Sequence, residues 1–173
     1  MIELEDNEAA FSVCSVQFPE KGNDLFVAIG TAKDMTLHPR RVSSGFIHLY
    51  KIANNQFQLV HKTPIEDIPY ALCAYQGRLL AGIGKILRIY DMGKKKLLRK
   101  CENKNFPNFI VSLCVKGDRI IVGDVTESFL YVKYNRIDNQ LYAFADHTAP
   151  RWLTTYEVLD YDTIAGADKF GML

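Results

Sequence analysis

The sequence predicts an all-β fold assembled from repeated units of four short strands. Val, Ile, Leu, Phe and Tyr recur in short runs, and Gly, Asn or Asp punctuates them every eight to twelve residues or so. No segment sustains apolar residues at i, i+3, i+4 and i+7 over three helical turns. The runs also repeat. "LCAYQGRLLAGIGKILRIYD" (Leu72 to Asp91), "LCVKGDRIIVGDVTESFLYVKY" (Leu113 to Tyr134) and "YEVLDYDTIAGADKFGML" (Tyr156 to Leu173) share one plan. Each has a strand, a tight turn and a short apolar run ending near a Gly. Gly82, Gly123 and Gly166 fall at spacings of 41 and 43. A period of about 40–45 residues with four strands per unit marks a blade of a β-propeller.

Along the chain, "FSVCSVQF" (Phe11 to Phe18) alternates and "PEKGND" is a turn cluster. "LFVAIGTA" (Leu25 to Ala32) is a buried strand whose Gly30 corresponds to Gly82. The polar insertion "KDMTLHPRRVSS" (Lys33 to Ser44) lengthens that spacing to 52. "GFIHLYKI" (Gly45 to Ile52) has a two-residue period, as expected of a strand with one wet face. Asn54 and Asn55 supply hairpin-turn chemistry because Asn tolerates positive φ, and "FQLVHKTPI" closes the first blade, residues 11–65. The second blade, 70–102, reads "YALCAY", "RLLAGI", "ILRIYD" and "KLLRKCE". The third, 109–146, reads "FIVSLCV", "RIIVGDV", "SFLYVKYN" and "QLYAFA". A fourth, 152–173, stops after its second strand, "TIAGAD". "LLAGI" and "IIVGDV" are apolar almost throughout, as expected of strands packed on both faces. Residues 1–173 thus read as one partial β-propeller of about three and a half blades. Closed propellers hold four to eight. The reading expects a piece of a larger protein, poorly stable alone because a blade face is uncovered.

Composition is that of an ordinary soluble domain, 48% hydrophobic and 24% charged, with nine Tyr and ten Phe favouring strands. A net charge of +1 gives no global argument for a nucleic-acid or membrane partner. Cys14, Cys73, Cys101 and Cys114 form no C-x-x-C pair and read as buried reduced thiols. The acidic start "MIELEDNEAAF" is no signal peptide, and no apolar run is long enough to span a membrane.

The motifs point away from catalysis. "GRLLAGIGK" fails as a phosphate loop, because Ile83 stands where Gly77 and Gly82 would require Lys. It fails as a dinucleotide fingerprint because Leu87 occupies the third Gly position. It reads instead as a hairpin turn at Gly82 to Lys85. His38, His48, His61 and His147 are scattered, with no nucleophile turn near His147. Asp160, Asp162 and Asp168 sit at turn positions where carboxylates bond backbone amides. No cofactor, metal or small-molecule substrate is expected. Candidate contact residues lie elsewhere. The basic run Lys94, Lys95, Lys96, Arg99, Lys100 and Lys104 suits RNA phosphates, an acidic partner, or a solvated hairpin guarding a strand edge. Arg40 and Arg41 lie in the least repeat-like loop. Trp152, Tyr156, Tyr161 and Phe170 read as packing between blades, with Trp152 alternatively an exposed anchor.

"NEAAFSV", "HKTPIEDIP", "GKKKLLRKCENK", "DVTESFLYVKYNR", "FADHTAPRW" and "LDYDTIAGADKFG" together resemble the splicing factor 3B subunit 3 family. These are large spliceosomal proteins built of three β-propellers. They are related to the damage-specific DNA-binding protein large subunit and the largest cleavage-and-polyadenylation specificity factor subunit. The resemblance runs from about Asn7 to Gly171, near the family's C-terminus, and is weaker in detail over Phe106 to Leu113. It implies a chain that continues past "DKFG". It also implies a nuclear, non-catalytic scaffold subunit of the splicing factor 3b complex of the U2 small nuclear ribonucleoprotein. Such a subunit acts in pre-mRNA splicing at branch-site recognition. The implied partners are the large helical-repeat subunit and the small subunits of that complex, with RNA contact indirect. The alternative is a sister role, as a ubiquitin-ligase adaptor, a damaged-DNA-binding subunit or a polyadenylation factor.

Overall fold

The computed structural model describes residues 2–5, 7–54 and 56–173; the predicted turn residue Asn55 lies outside them. Strands dominate, and the described residues contain no α-helix. The first sheet is built from β1 (Glu8–Gln17), β2 (Leu25–Lys33), β5 (Ser44–Ala53) and β6 (Gln56–Ile65). A short hairpin of β3 (Thr36–Leu37) and β4 (Arg40–Arg41) is inserted between β2 and β5. The second comprises β7 (Pro69–Tyr75), β8 (Arg78–Ile83), β9 (Ile86–Met92) and β10 (Leu97–Asn103). The third comprises β11 (Ile110–Lys116), β12 (Arg119–Asp124), β13 (Ser128–Asn135) and β14 (Gln140–Asp146). β15 (Leu153–Val158) and β16 (Ile164–Asp168) form a two-stranded sheet. Each sheet is an antiparallel meander in chain order, and β7 packs against both β1 and β11. The first strands are therefore innermost, and the sheets radiate outward as propeller blades.

Packing between blades explains the apolar text of the second strands. Leu79, Ala81 and Ile83 of β8 join Phe26, Ile47 and Leu49 in the core between the first two blades, whereas Leu80 joins Ile110, Ile120 and Val122 in the next core. With both faces buried, no polar alternation can survive. β5 departs from its expected alternation. Ile47, His48, Leu49 and Tyr50 are all buried, because the face turned away from the second blade carries a polar row with one residue from each strand. Thr31 of β2 donates to Glu8 of β1, His48 of β5 lies 2.6 Å from the same carboxylate, and Lys62 of β6 reaches its second oxygen at 2.9 Å. Beside this row Val13, Phe57 and Leu59 are exposed.

Burial alone would raise the Glu8 pKa, but hydrogen bonds from Thr31, Lys62 and His48 outweigh it and hold it at about 2. Glu8 therefore stabilises the fold above the ordinary carboxylate range near 4.5, and that contribution fades as pH falls towards 2. We expect Glu8→Gln to lower the melting temperature at pH 6 and to change it little at pH 2.5. An equal loss at both values would place Glu8's contribution in packing rather than charge.

The repeat has a joint at its centre. Each innermost strand carries a β-bulge, and the residue after it pairs with the second strand: Ser12 with Gly30, Ala71 with Gly82, Ser112 with Gly123. Opposite each of these glycines, the first residues of the next bulged pair press in. A Cβ on Gly30 would stand 2.8 Å from Pro69, one on Gly82 2.5 Å from Ile110, and one on Gly123 2.9 Å from Leu153. The expectation that Gly166 shares this position is overturned by one residue. Leu153 pairs with Asp168 and Thr155 with Ala167, so Ala167 is the equivalent. Gly166 faces the other way, against Phe129 of the third blade. The fourth strands are bulged as well, at Val60, Lys100 and Phe144, which bends these outer edges away from flat strand pairing.

The cysteines also depart from expectation. Cys14, Cys73 and Cys114 occupy one repeat position on adjacent innermost strands but are only half-buried; Cys101 alone is buried. Burial, with Cys14 and Cys114 nearby, pushes the Cys73 thiol up to about 11.

Candidate protein-interaction surface

Because consecutive strands run antiparallel, the turns divide between two faces. One face carries the β3–β4 hairpin, the β6–β7 link, the β8–β9 turn and the β10–β11 link. There the hairpin is fastened across three blades. The Arg40 guanidinium sits 2.8 Å from Asp67, donates to the Tyr70 hydroxyl at 3.2 Å, and stacks over the Phe109 ring at 4.0 Å. Burial alone would lower its pKa, but Tyr70 and Asp67 raise it. Arg40, a candidate partner contact by sequence, thus has intramolecular partners, while Arg41 beside it points to solvent. Arg40→Ala should cost about 1.5–3 kcal/mol, the range of a hydrogen bond to a charged group. It should also loosen residues 33–44, read as faster amide exchange over β3 and β4. Unchanged exchange would mean that the hairpin holds itself.

The "GRLLAGIGK" text forms the hairpin expected, with the turn at Gly84 and Lys85 and Gly82 inside β8. Gly84 takes φ +55°, and a Cβ there would collide with the Asp67 carboxylate. The carboxylates of the tail also cap turns. Asp160 accepts from the Asp162 amide, and Asp168 from the amides of Phe170 and Met172. Asp124, the repeat equivalent of Asp168, likewise accepts from the amides of Asn108, Thr126 and Glu127.

The basic run does not act as one patch. Arg99 is 3.0 Å from Glu66, and Lys104 is 3.1 Å from Glu102. Both carboxylates are shared with Arg88, a buried residue that the sequence reading passed over as strand text. Lys94, Lys95 and Lys96 lie in the β9–β10 turn on the opposite face. They are exposed, and none has an acidic partner among the described residues. Of the tail aromatics, Tyr156 packs between blades against Phe129, at 5.1 Å between centroids. Tyr161 holds the Arg119 guanidinium of the third blade at 3.8 Å. Trp152 and Phe170 do not fill an interface between blades. Trp152 is 44% exposed with the Lys169 ammonium 3.3 Å from its ring centroid, and Phe170 is 70% exposed. Ile137, at the tip of the β13–β14 turn, is more exposed than either at 94%. In the sequence "RIDN" signalled only a turn.

Cations, aromatic rings and an apolar tip are thus exposed on these faces. A protein-family model described as the CPSF A subunit region matches residues 1–173. The chain is 56% identical to spliceosome-associated protein 130 A of Arabidopsis thaliana and 54% identical to splicing factor 3B subunit 3 of Danio rerio. Both matches cover 99% of the chain. It is 49% identical to pre-mRNA-splicing factor RSE1 of Mycosarcoma maydis over 98% of the chain. It spans 14% of the length of each of these curated relatives. A match over the whole chain, on blades joined in one repeating register, places the protein in a family: it belongs to the CPSF A subunit region family.

Proposed function

We propose that this chain is part of a nuclear, non-catalytic scaffold subunit of the splicing factor 3b complex, acting in pre-mRNA splicing at branch-site recognition through protein–protein contacts. The observation that carries the reading is identity of about half or more, over almost the whole chain, to relatives named as splicing factors. The architecture supports it. Rigid blades present Arg41, Lys94, Lys95, Lys96 and Trp152 to solvent, and Arg40 holds the hairpin that carries Arg41. The described polar clusters at Glu8 and Arg88 are fully paired within the fold, with no nucleophile–base arrangement in either. The proposed partners are the large helical-repeat subunit and the small subunits of that complex, with any contact to U2 or pre-mRNA made through them. Affinity purification of the full-length protein tests the reading. Splicing factor 3b subunits should co-purify in stoichiometric amounts. Recovery of a cullin or of polyadenylation factors without splicing subunits would assign the chain to a sister role instead.

A further inference from the structure

The face opposite the Arg40 hairpin is stitched into one surface by contacts between turns. Gly77, in the β7–β8 turn, is pressed against the ring of Pro19, where a Cβ would come within 2.7 Å. From the same first-blade turn, Lys21 donates to the Lys94 carbonyl at 3.0 Å. Arg136, in the β13–β14 turn, donates to Gln76 at 2.6 Å. These three links put Lys94, Lys95 and Lys96 on the same face as the tip of the third blade's hairpin, which carries Ile137.

That tip is built to hold its shape. The Ile137 amide donates to Asn135 at 2.9 Å, the Tyr134 hydroxyl to Asn139 at 2.9 Å, and the Asn139 side chain to the Lys100 carbonyl at 2.9 Å. An isoleucine 94% exposed contributes nothing to the core, yet its backbone is fixed at both ends and across to the next blade. An apolar side chain on a backbone already fixed needs less ordering when a partner covers it, and a few buried side chains carry most of the binding energy at an interface. On the same face Lys94, Lys95 and Lys96 are exposed, without acidic partners among the described residues.

We infer that this face, centred on Ile137 and Lys94–Lys96, docks an acidic protein segment carrying apolar residues. The inference rests on the scaffold reading and names the chemistry of one partner. Charge complementarity selects acid. The isoleucine selects protein over RNA, because nucleic acid bound by lysines gains from aromatic rings on which bases stack and not from an aliphatic tip. Lys94, Lys95 and Lys96 have no such ring in the tight turn that carries them.

The test uses the full-length protein and three fluorescein-labelled probes in anisotropy titrations. One is a 15-residue peptide of Glu with Leu at every third or fourth position. The second is the same peptide with Ser for Leu, and the third is a 15-nucleotide oligouridylate. The Glu/Leu peptide should bind at least about fivefold tighter than the Glu/Ser peptide, the scale of one anchor residue. Reversing the lysines with K94E/K95E/K96E should weaken it at least about tenfold and flatten its salt dependence. Ile137→Ser should abolish the preference for Leu while leaving Glu/Ser binding unchanged. All four positions are exposed, so the variants should melt as the parent does. Equal affinity for the two peptides, tighter binding of the oligouridylate, no measurable peptide binding, or no effect of Ile137→Ser would each overturn the inference. None of these results bears on co-purification with splicing subunits, which tests the scaffold reading separately.

Discussion

Replacing Arg88 with methionine should destabilise the second blade by about 3 kcal/mol, the lower end of what removing one partner from a buried ion network costs. The side chain is 1% exposed. Its guanidinium makes a two-point contact with Glu66 at 2.8 and 2.9 Å, donates to Glu102 from Nε at 2.8 Å, and donates to the Tyr90 hydroxyl at 3.0 Å. Glu66 belongs to the link between the first two blades, so the network joins blades as well as strands. Without Arg88, Glu66 and Glu102 face each other with the exposed Arg99 and Lys104 as their counter-charges among the described residues. Arg88→Lys should recover little, because an ammonium cannot reproduce the planar fork that spans both carboxylates. Acid should reveal the same network. The hydrogen bond from Arg88 holds Glu66 at about 2 against an ordinary 4.5, and Glu102 is also lowered. The network's contribution is therefore full above the ordinary carboxylate range and fades as pH falls towards 2. Amide exchange over β8, β9 and β10 in the full-length protein would read both effects. An Arg88→Met variant whose exchange matches the parent at pH 7 would show that the network contributes no more than a surface pair.

Arg88 also shows where the sequence stopped being legible. Within "ILRIYD" nothing local separates a buried arginine from one on a wet face, since its partners lie 22 residues before it and 14 after it. The basic run was legible only as charge. Its six cations spread along β10, with Lys94, Lys95 and Lys96 in the turn before it, Arg99 and Lys100 within it and Lys104 in the link to β11. Repeat and strand text were readable because burial on both faces leaves an uninterrupted apolar run, as in "LLAGI". The fourth repeat was misaligned by one residue because "IAGAD" offers a glycine next to the true joint. Only the pairing of Leu153 with Asp168 shows that Ala167 fills it. Of the proposed docking face, the lysines were visible as charge. Ile137 was hidden, since an isoleucine in strand-rich text is expected to be buried.

Gly82→Val should open the joint between the second and third blades, at a cost near 3 kcal/mol, the upper end for overpacking a core. The backbone of Gly82 does not need glycine for its dihedral angles; the space does. A Cβ there would stand 2.5 Å from Ile110 Cγ2 and 3.0 Å from Ile110 Cβ. Ile110 is itself fully buried and cannot swing clear. Gly82→Ala should cost less, because part of the strain is offset by the smaller loss of chain freedom on folding. If the joint works as knob and hole, trimming the knob should relieve the strain. Gly82→Ala combined with Ile110→Ala should be more stable than the sum of the single changes predicts, by at least about 1 kcal/mol for residues in direct contact. Gly30→Ala should find no such relief in trimming a side chain, because its Cβ would also meet the Pro69 carbonyl oxygen at 2.9 Å. Strict additivity of Gly82→Ala and Ile110→Ala would mean that the blades slide apart to admit a methyl group. The glycine repeat would then record strand geometry rather than the contact between blades.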